Sequence, residues 1–100
     1  FDCSLRYIDA CKAEVQQVAI CGGAGAEFID LAIEQGADVY ITADVKYHEM
    51  QAAYGRIAVI DLDHWTSEQF TREIFEQLLS QHITTHIATT DTTPVKWLIK

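Results

Sequence analysis

The chain has 100 residues, a length typical of one domain, and 49% of them are hydrophobic. Its formal net charge is −8, with 7 basic and 15 acidic residues, which argues against a surface for nucleic acid or an anionic membrane. No apolar run approaches the roughly 20 residues of a transmembrane helix, and no signal peptide is visible. The three cysteines match no zinc spacing and cannot all pair. We therefore expect reduced thiols, with Cys21 buried, and a cytoplasmic location.

Patterns typical of strands and of helices alternate along most of the chain. Five segments predict strands: Cys3–Ile8, Val15–Cys21, Asp38–Thr42, Ile57–Asp61 and Thr84–Thr89. The second ends in four consecutive apolar residues, as in a strand covered on both faces. The alternation predicts the α/β class, with a mostly parallel sheet of about five strands and helices on its faces.

Three helices are predicted between and after these strands. They are Ala26–Gln35, with Gly36 as its C-terminal cap; Val45–Tyr54, capped by Asp44 and closed by Gly55; and Ser67–Ser80, where Thr66 and Gln69 resemble a capping box. A last helical turn is expected after Thr93-Pro94. The chain begins without an initiator methionine, and we expect residues 1–100 to be a single domain cut from a longer protein.

The first polar strand end is the turn Gly22-Gly23-Ala24-Gly25. Between a strand and a helix, such a turn can bring backbone N–H groups close to an anion or a cofactor phosphate. It has neither the Walker lysine nor the spacing of a dinucleotide fingerprint. The alternative is a tight turn that needs small residues for strand–helix packing, and both interpretations stay open.

The second polar strand end runs from Thr42 to His48. Lys46 can hold a phosphate or carboxylate, and His48 can carry a proton because its ordinary pKa is near neutrality. The alternative is structural, with Asp44 as a helix cap and Lys46 in solvent.

The third polar strand end runs from Asp61 to Glu68 and contains His64. His64 lies just before the predicted helix and Glu68 in its first turn, so both side chains can reach one point near the sheet edge. Imidazole and carboxylate bind divalent metals, yet a catalytic zinc usually takes three protein ligands. The pair alone is an incomplete metal site, and a hydrogen-bonded histidine is the structural alternative.

Taken in order, these segments resemble the second half of the NIF-three-like family, whose members are often called GTP cyclohydrolase 1 type 2 homologues. The resemblance rests on four segments that cover nearly the whole chain: Val18–Gly25, Ala37–His48, Ile60–Glu68 and the closing Asp91–Leu98. It implies an α/β fold with a two-metal site of divalent ions (zinc, manganese or iron), in a protein that commonly forms a homohexamer.

The resemblance also implies roles for particular residues. The histidine and glutamate that bind metal in the family fall on His64 and Glu68, while its other ligands come from a first half that has no counterpart here. The loop that lines the same cleft falls on Thr42–His48. Two positions depart from the family pattern, because Asp63 and Ala43 stand where glycines are usual. Asp63 either adds a ligand or distorts the loop.

The leading hypothesis is therefore a fragment of a metal-dependent, hydrolase-like protein that acts on a small phosphorylated or nucleotide-like substrate, inactive by itself. Lys46 and His48 would act on the substrate, Gly22, Gly23 and Gly25 would approach it by backbone, and His64 and Glu68 would bind metal. One alternative is a noncatalytic interaction or regulatory module of a homo-oligomer. Another is a nucleotide-binding half-domain built on the glycine turn.

Overall fold

The computed structural model describes residues 3–99, which fall into two compact units divided between Gln69 and Phe70. The first unit has four strands and three helices. In chain order its elements are β1 (Leu5–Ile8), β2 (Val18–Ala24), a 3₁₀ turn (Ala26–Phe28), α1 (Ile29–Glu34), β3 (Val39–Ala43), α2 (Tyr47–Ala53), β4 (Ala58–Leu62) and α3 (His64–Glu68). The second unit contains α4 (Thr71–Leu79). Within residues 3–99, no helix is both long enough and apolar enough to span a bilayer.

The four strands form one mixed sheet in the order β1-β4-β3-β2, so the α/β class is confirmed but the expected five mostly parallel strands are not. β2, β3 and β4 are parallel, whereas β1 runs antiparallel to β4. The reason lies between the first two strands. Residues 9–17 form no helix, and a parallel connection needs a crossover, usually a helical one.

Helices cover one face of this sheet. Ala19, Tyr40, Val59 and Ile8 lie side by side across the four strands, and all of them belong to the hydrophobic core or pack against it, with residues of α1 and α2. The parallel strands β2 and β3 lead into these two helices, and the carboxyl ends of such strands lie at the same edge of the sheet.

The opposite face carries a second apolar row across the sheet, formed by Ile20, Ile41, Ile60 and Tyr7. The side chains at its two ends, Ile20 and Tyr7, are each 65% exposed. The prediction that the apolar run of β2 is covered on both faces is therefore wrong for Ile20. Cys21 is only partly buried, although it is a free thiol as predicted.

The second unit differs most from the sequence prediction. The helix predicted over Ser67–Ser80 is two helices, α3 and α4, and the fifth strand predicted over Thr84–Thr89 does not form. Residues 84–89 are rich in β-branched side chains, but a strand needs a ladder partner as well as propensity. The helical turn expected after Pro94 is also absent from the structure described for residues 91–99, where Thr93 N–H donates to Asp91 Oδ1 at 3.0 Å.

Helix ends show which local signals were interpreted correctly. Gly36 follows α1 with φ +80°, and the N–H groups of Gly36 and Ala37 donate to the carbonyls of Ile33 and Ala32, each at 3.0 Å. This is a Schellman cap, and the prediction for Gly36 is confirmed. Gly55 likewise follows the end of α2 with a positive φ of 81°.

The predicted caps at Asp44 and Thr66 are wrong. α2 begins two residues later than expected, and the N–H of its N-cap residue Lys46 donates to Glu49 Oε2 at 2.7 Å. The helix after β4 begins earlier than expected, with Asp63 as its N-cap. Thr66 lies inside that helix and donates to the cap.

Candidate functional site

A β-bulge shapes the glycine turn at the end of β2. Ile20 pairs with Ile41 and Ala24 pairs with Ala43, so three residues of β2 stand opposite the single residue Thr42 of β3. Extra residues in one strand bend it and redirect its backbone. Gly23 lies in this bulge with φ +69°, a conformation that L side chains rarely adopt.

Two side chains of β3 donate hydrogen bonds to carbonyl groups of the turn. Thr42 Oγ1 donates to the Gly23 carbonyl at 3.0 Å, and Tyr40 OH donates to the Gly25 carbonyl at 2.7 Å, both in buried surroundings. A Cβ on Gly25 would lie 2.5 Å from Thr42 Oγ1. Gly25 is therefore required for packing, as the structural interpretation of the turn expected.

α3 closes over the same turn. Gly23 N–H donates to Ser67 Oγ at 2.9 Å, and Ser67 Oγ donates to the His64 carbonyl at 2.8 Å. A Cβ on Gly23 would overlap Glu68 Oε1 and would lie 3.4 Å from His64 Nε2. The Gly23 backbone thus directly adjoins the two predicted metal ligands, while its N–H is engaged by a side chain of the same unit.

Asp63 fixes the start of α3. Its carboxylate accepts hydrogen bonds from Thr66 N at 3.0 Å and from Thr66 Oγ1 at 2.9 Å. This is the N-cap geometry that satisfies an unpaired helical N–H. Asp63 replaces the expected glycine as a cap, and the carboxylate oxygen that it uses is occupied by hydrogen bonds within the helix.

His64 lies between two carboxylates. Its Nδ1 is 2.5 Å from Asp44 Oδ2, and its Nε2 is 3.2 Å from Glu68 Oε2, one helical turn away. The hydrogen bond with Asp44 raises the pKa of His64 above its ordinary value, partial burial opposes this, and the charge of Glu68 adds to it. The His64 and Glu68 side chains are 46% and 52% exposed, so further groups can approach them.

His64 and Glu68 fit two places in the coordination shell of a divalent ion. Two ligand atoms bound to one tetrahedral zinc lie roughly 3.3 Å apart, close to the observed 3.2 Å between Nε2 and Oε2. In residues 3–99, no group of three or more histidine, cysteine, aspartate or glutamate side chains is arranged to hold a metal ion. The described residues therefore supply part of such a site.

Lys46 and His48 lie at the start of α2, and both are exposed. His48 Nδ1 is 3.4 Å from Gln51 Oε1, and its ring meets that of Tyr47 edge-on, with centroids 5.4 Å apart. In the described part of the chain, the side-chain hydrogen bonds of His64 and Glu68 join them to Asp44 and to each other, not to α2. The catalytic roles of Lys46 and His48 stay predictions.

An ion pair that was not predicted supports the loop after β3. Asp61 is buried and accepts hydrogen bonds from Arg6 of β1. Arg6 also donates to the Val45 carbonyl at 2.8 Å, and the Val45 N–H lies 3.4 Å from Asp61 Oδ1. The contact depends on the antiparallel pairing of β1 with β4, which the sequence patterns did not predict.

The contact between Asp44 and His64 also went unpredicted. The pairing of adjacent strands could have revealed this contact. Asp44 follows β3, His64 follows β4, and β3 and β4 are parallel neighbours. Residues just past the ends of such strands face each other across the same sheet edge. The protein is therefore of the α/β class, with a mixed sheet that carries a histidine–carboxylate pair and a glycine turn at one edge.

Comparison with known proteins identifies the family within that class. The profile of the Duf34/NIF3 (NGG1p interacting factor 3) family matches residues 2–94, so the chain belongs to this family. The GTP cyclohydrolase 1 type 2 homolog of Staphylococcus aureus strain MSSA476 is 32% identical over 83 residues, which are 82% of this chain and 22% of that protein. That of Staphylococcus epidermidis strain ATCC 12228 is 34% identical over 79 residues, covering 78% and 21%.

Solved structures agree with this assignment. Staphylococcus aureus protein SA1388 superposes with a TM-score of 0.85 at 29% identity, covering 95% of this chain and 33% of that one. The Bacillus cereus protein related to NIF3 gives a TM-score of 0.73 at 25% identity, covering 95% and 28%. The chain thus spans about a fifth of the length of these curated relatives and about a third of these solved chains.

Proposed function

We propose that this chain supplies His64 and Glu68 to a centre of two divalent ions, zinc, manganese or iron, in a longer metal-dependent hydrolase-like protein. The observation that carries the proposal is the 3.2 Å separation of His64 Nε2 and Glu68 Oε2 at the open edge of the sheet. Imidazole and carboxylate are donors for this kind of ion.

Roles for the surrounding residues are part of the same proposal. A divalent ion, when bound, would supply Lewis acidity for attack by water on the substrate. Gly23, which has no side chain, leaves room for the Glu68 carboxylate. Lys46 would bind an anionic substrate group and His48 would move a proton, while Gly22, Gly23 and Gly25 would line the approach with backbone atoms.

The substrate class is proposed from the relatives. The curated relatives are named GTP cyclohydrolase 1 type 2 homologs, and on that basis we assign a small phosphorylated or nucleotide-like compound. Assembly as a homo-oligomer, a hexamer in the full-length form, and a cytoplasmic location are part of the same proposal, the latter from the reduced cysteines expected of the sequence.

Elemental analysis of the full-length protein, purified without affinity-tag metals, tests this proposal. We expect bound divalent metal in the wild-type protein, with a large loss in the His64→Ala/Glu68→Ala variant. A His82→Ala/His86→Ala variant is the matched control, because these histidines lie in the second unit. Stoichiometric metal in the His64→Ala/Glu68→Ala variant would contradict the assignment of these residues as ligands.

The alternative of an interaction module in a homo-oligomer is favoured by one observation. The apolar row on the second sheet face ends in Ile20 and Tyr7, each 65% exposed, and exposed contiguous apolar side chains often mark an interface. Isothermal titration of the full-length protein separates the two functions. Saturable binding of zinc or a small phosphate compound supports the metal site, whereas self-association abolished by Ile20→Lys, with no metal or phosphate binding, supports the interaction module.

A further inference from the structure

Asp44 makes a close side-chain contact with His64. Its Oδ2 lies 2.5 Å from His64 Nδ1, on the opposite side of the ring from the Nε2 that faces Glu68. A neutral imidazole has one N–H and one lone pair, and the group bonded to one nitrogen decides which function the other has. The Asp44 carboxylate at 2.5 Å is nearer to the ring than the Glu68 carboxylate at 3.2 Å, so we expect the N–H of a neutral ring at Nδ1 and the lone pair at Nε2.

The backbone that carries Asp44 is unusual. Asp44 is the one non-glycine residue with a positive φ in the described part of the chain, at +57°. Such a conformation costs free energy for an L residue, though least for aspartate and asparagine. The surrounding structure must therefore impose it.

The residues on either side of Asp44 are both immobilised. Ala43 is fully buried and paired with Leu62 and Ala24 in the sheet. Val45 is 1% exposed, with its carbonyl bound by Arg6 and its N–H facing Asp61. Because the chain is fixed before and after it, the Asp44 carboxylate is held facing His64, although its side chain is 55% exposed.

We propose that Asp44 is a positioning residue that accepts the Nδ1–H of His64 and so keeps Nε2 free, beside Glu68, to bind the metal. This inference rests on the proposed function for the metal ligands, but it assigns Asp44 a role that the helix-cap interpretation did not include. Histidine ligands commonly donate their second N–H to a carboxylate, and loss of that carboxylate typically weakens metal binding roughly 10–100-fold.

Two substitutions distinguish positioning from a backbone role. Asp44→Gly removes the carboxylate and also relieves the positive φ, so it will not lower the free energy of unfolding through strain. Asp44→Asn keeps the size and the tolerance for this conformation but replaces the carboxylate with a neutral amide. Asp30→Asn is the matched control, because Asp30 is an exposed aspartate on α1 whose ion-pair partner is Arg56.

The experiment follows zinc titration of the 100-residue chain by NMR, together with the urea-induced unfolding of each variant. We expect Asp44→Gly to weaken zinc binding about 10-fold or more, Asp44→Asn to weaken it less, and Asp30→Asn to leave it unchanged, while the unfolding curves show that every variant is folded. Unchanged zinc affinity in Asp44→Gly would overturn the proposal.

A second measurement keeps the inference separate from the proposed function. In the metal-free chain at alkaline pH, where the His64 ring is neutral, ¹⁵N shifts show which ring nitrogen carries the proton. We expect the Nδ1–H tautomer in the wild-type chain and its loss in Asp44→Gly. If elemental analysis finds no metal in the full-length protein, the metal proposal fails while this tautomer result still supports positioning by Asp44; an identical tautomer in both chains overturns it.

Discussion

Single side chains fix the loops of this small sheet, and Asp38 shows how. Its carboxylate, only 8% exposed, accepts hydrogen bonds from Lys12 Nζ and from the N–H groups of Gln16 and Gln17, at 2.9–3.0 Å. The hydrogen bond from Lys12, followed by those from the two backbone N–H groups, lowers the pKa of Asp38 from 3.8 to about 2. The ionised form thus ties the segment before β2 to the start of β3.

We expect Asp38→Asn to destabilise the chain in a pH-dependent way. A carboxylate whose pKa is lowered by folding stabilises the protein above its unfolded pKa, and the effect is lost as the pH falls through the folded pKa. The difference in unfolding free energy between wild type and Asp38→Asn should be constant above about pH 5 and should shrink between about pH 4 and pH 2. Urea unfolding across this range checks it, and a difference that does not vary with pH would refute it.

Gly23 illustrates a residue whose absent side chain matters. Alanine at this position would lower the free energy of unfolding for two reasons: the positive φ and the overlap of its Cβ with the Glu68 carboxylate. Gly55→Ala is a matched control, because Gly55 has φ +81° but nothing within 4 Å of its built Cβ. We expect Gly55→Ala to cost about 1–2 kcal/mol from the backbone alone.

For Gly23→Ala we expect at least the same loss of stability, and in addition weaker zinc binding, because Glu68 must move away from His64. Gly55→Ala should leave zinc binding unchanged. Urea unfolding and zinc titration of both variants measure the two effects. Equal zinc affinity in Gly23→Ala and the wild-type chain would show that the turn does not support the ligand pair.

At the scale of the elements, the short helix α3 depends on its cap. We expect Asp63→Ala to lower the unfolding free energy by about 1 kcal/mol, and Asp63→Gly by only a few tenths, since glycine is a tolerated N-cap and alanine is not. Both variants should keep the zinc affinity of the wild-type chain if Asp63 only caps the helix. A loss of zinc binding in Asp63→Gly would instead make Asp63 a ligand.

The sequence patterns predicted the elements better than their ends. Local signals placed β3 and β4 within one residue and identified the cap at Gly36, because hydrophobic runs and a left-handed glycine act within a few residues. The break before α4 and the lack of a strand over residues 84–89 depend on contacts distant in sequence. Propensity does not report such contacts.

The same division holds at the candidate site. The positions of the strand ends and the family resemblance predict that His64, Glu68 and the glycine turn lie at one sheet edge. The structure has them in contact. Asp44 was assigned instead to a helix start, since its neighbours looked like one. Its contact with His64 became visible only from the parallel pairing of β3 and β4.

At the scale of the whole molecule, the chain carries two candidate ligands and spans about a fifth of its curated relatives. A catalytic zinc commonly takes three protein ligands. We therefore expect the 100-residue chain to bind zinc weakly and to catalyse no turnover. A tight, catalytically competent metal complex of this chain alone would contradict the idea that the remaining ligands lie outside it.

Zinc titration of the wild-type chain and of its His64→Ala/Glu68→Ala variant tests whether these two residues bind metal. We expect weak, saturable binding in the wild-type chain that disappears in this variant and persists when His82 and His86 are replaced by alanine. Isothermal titration, supported by NMR of the histidine ring signals, measures it. Zinc binding that is unaffected by removing His64 and Glu68, or that is lost only with His82 and His86, would contradict the account.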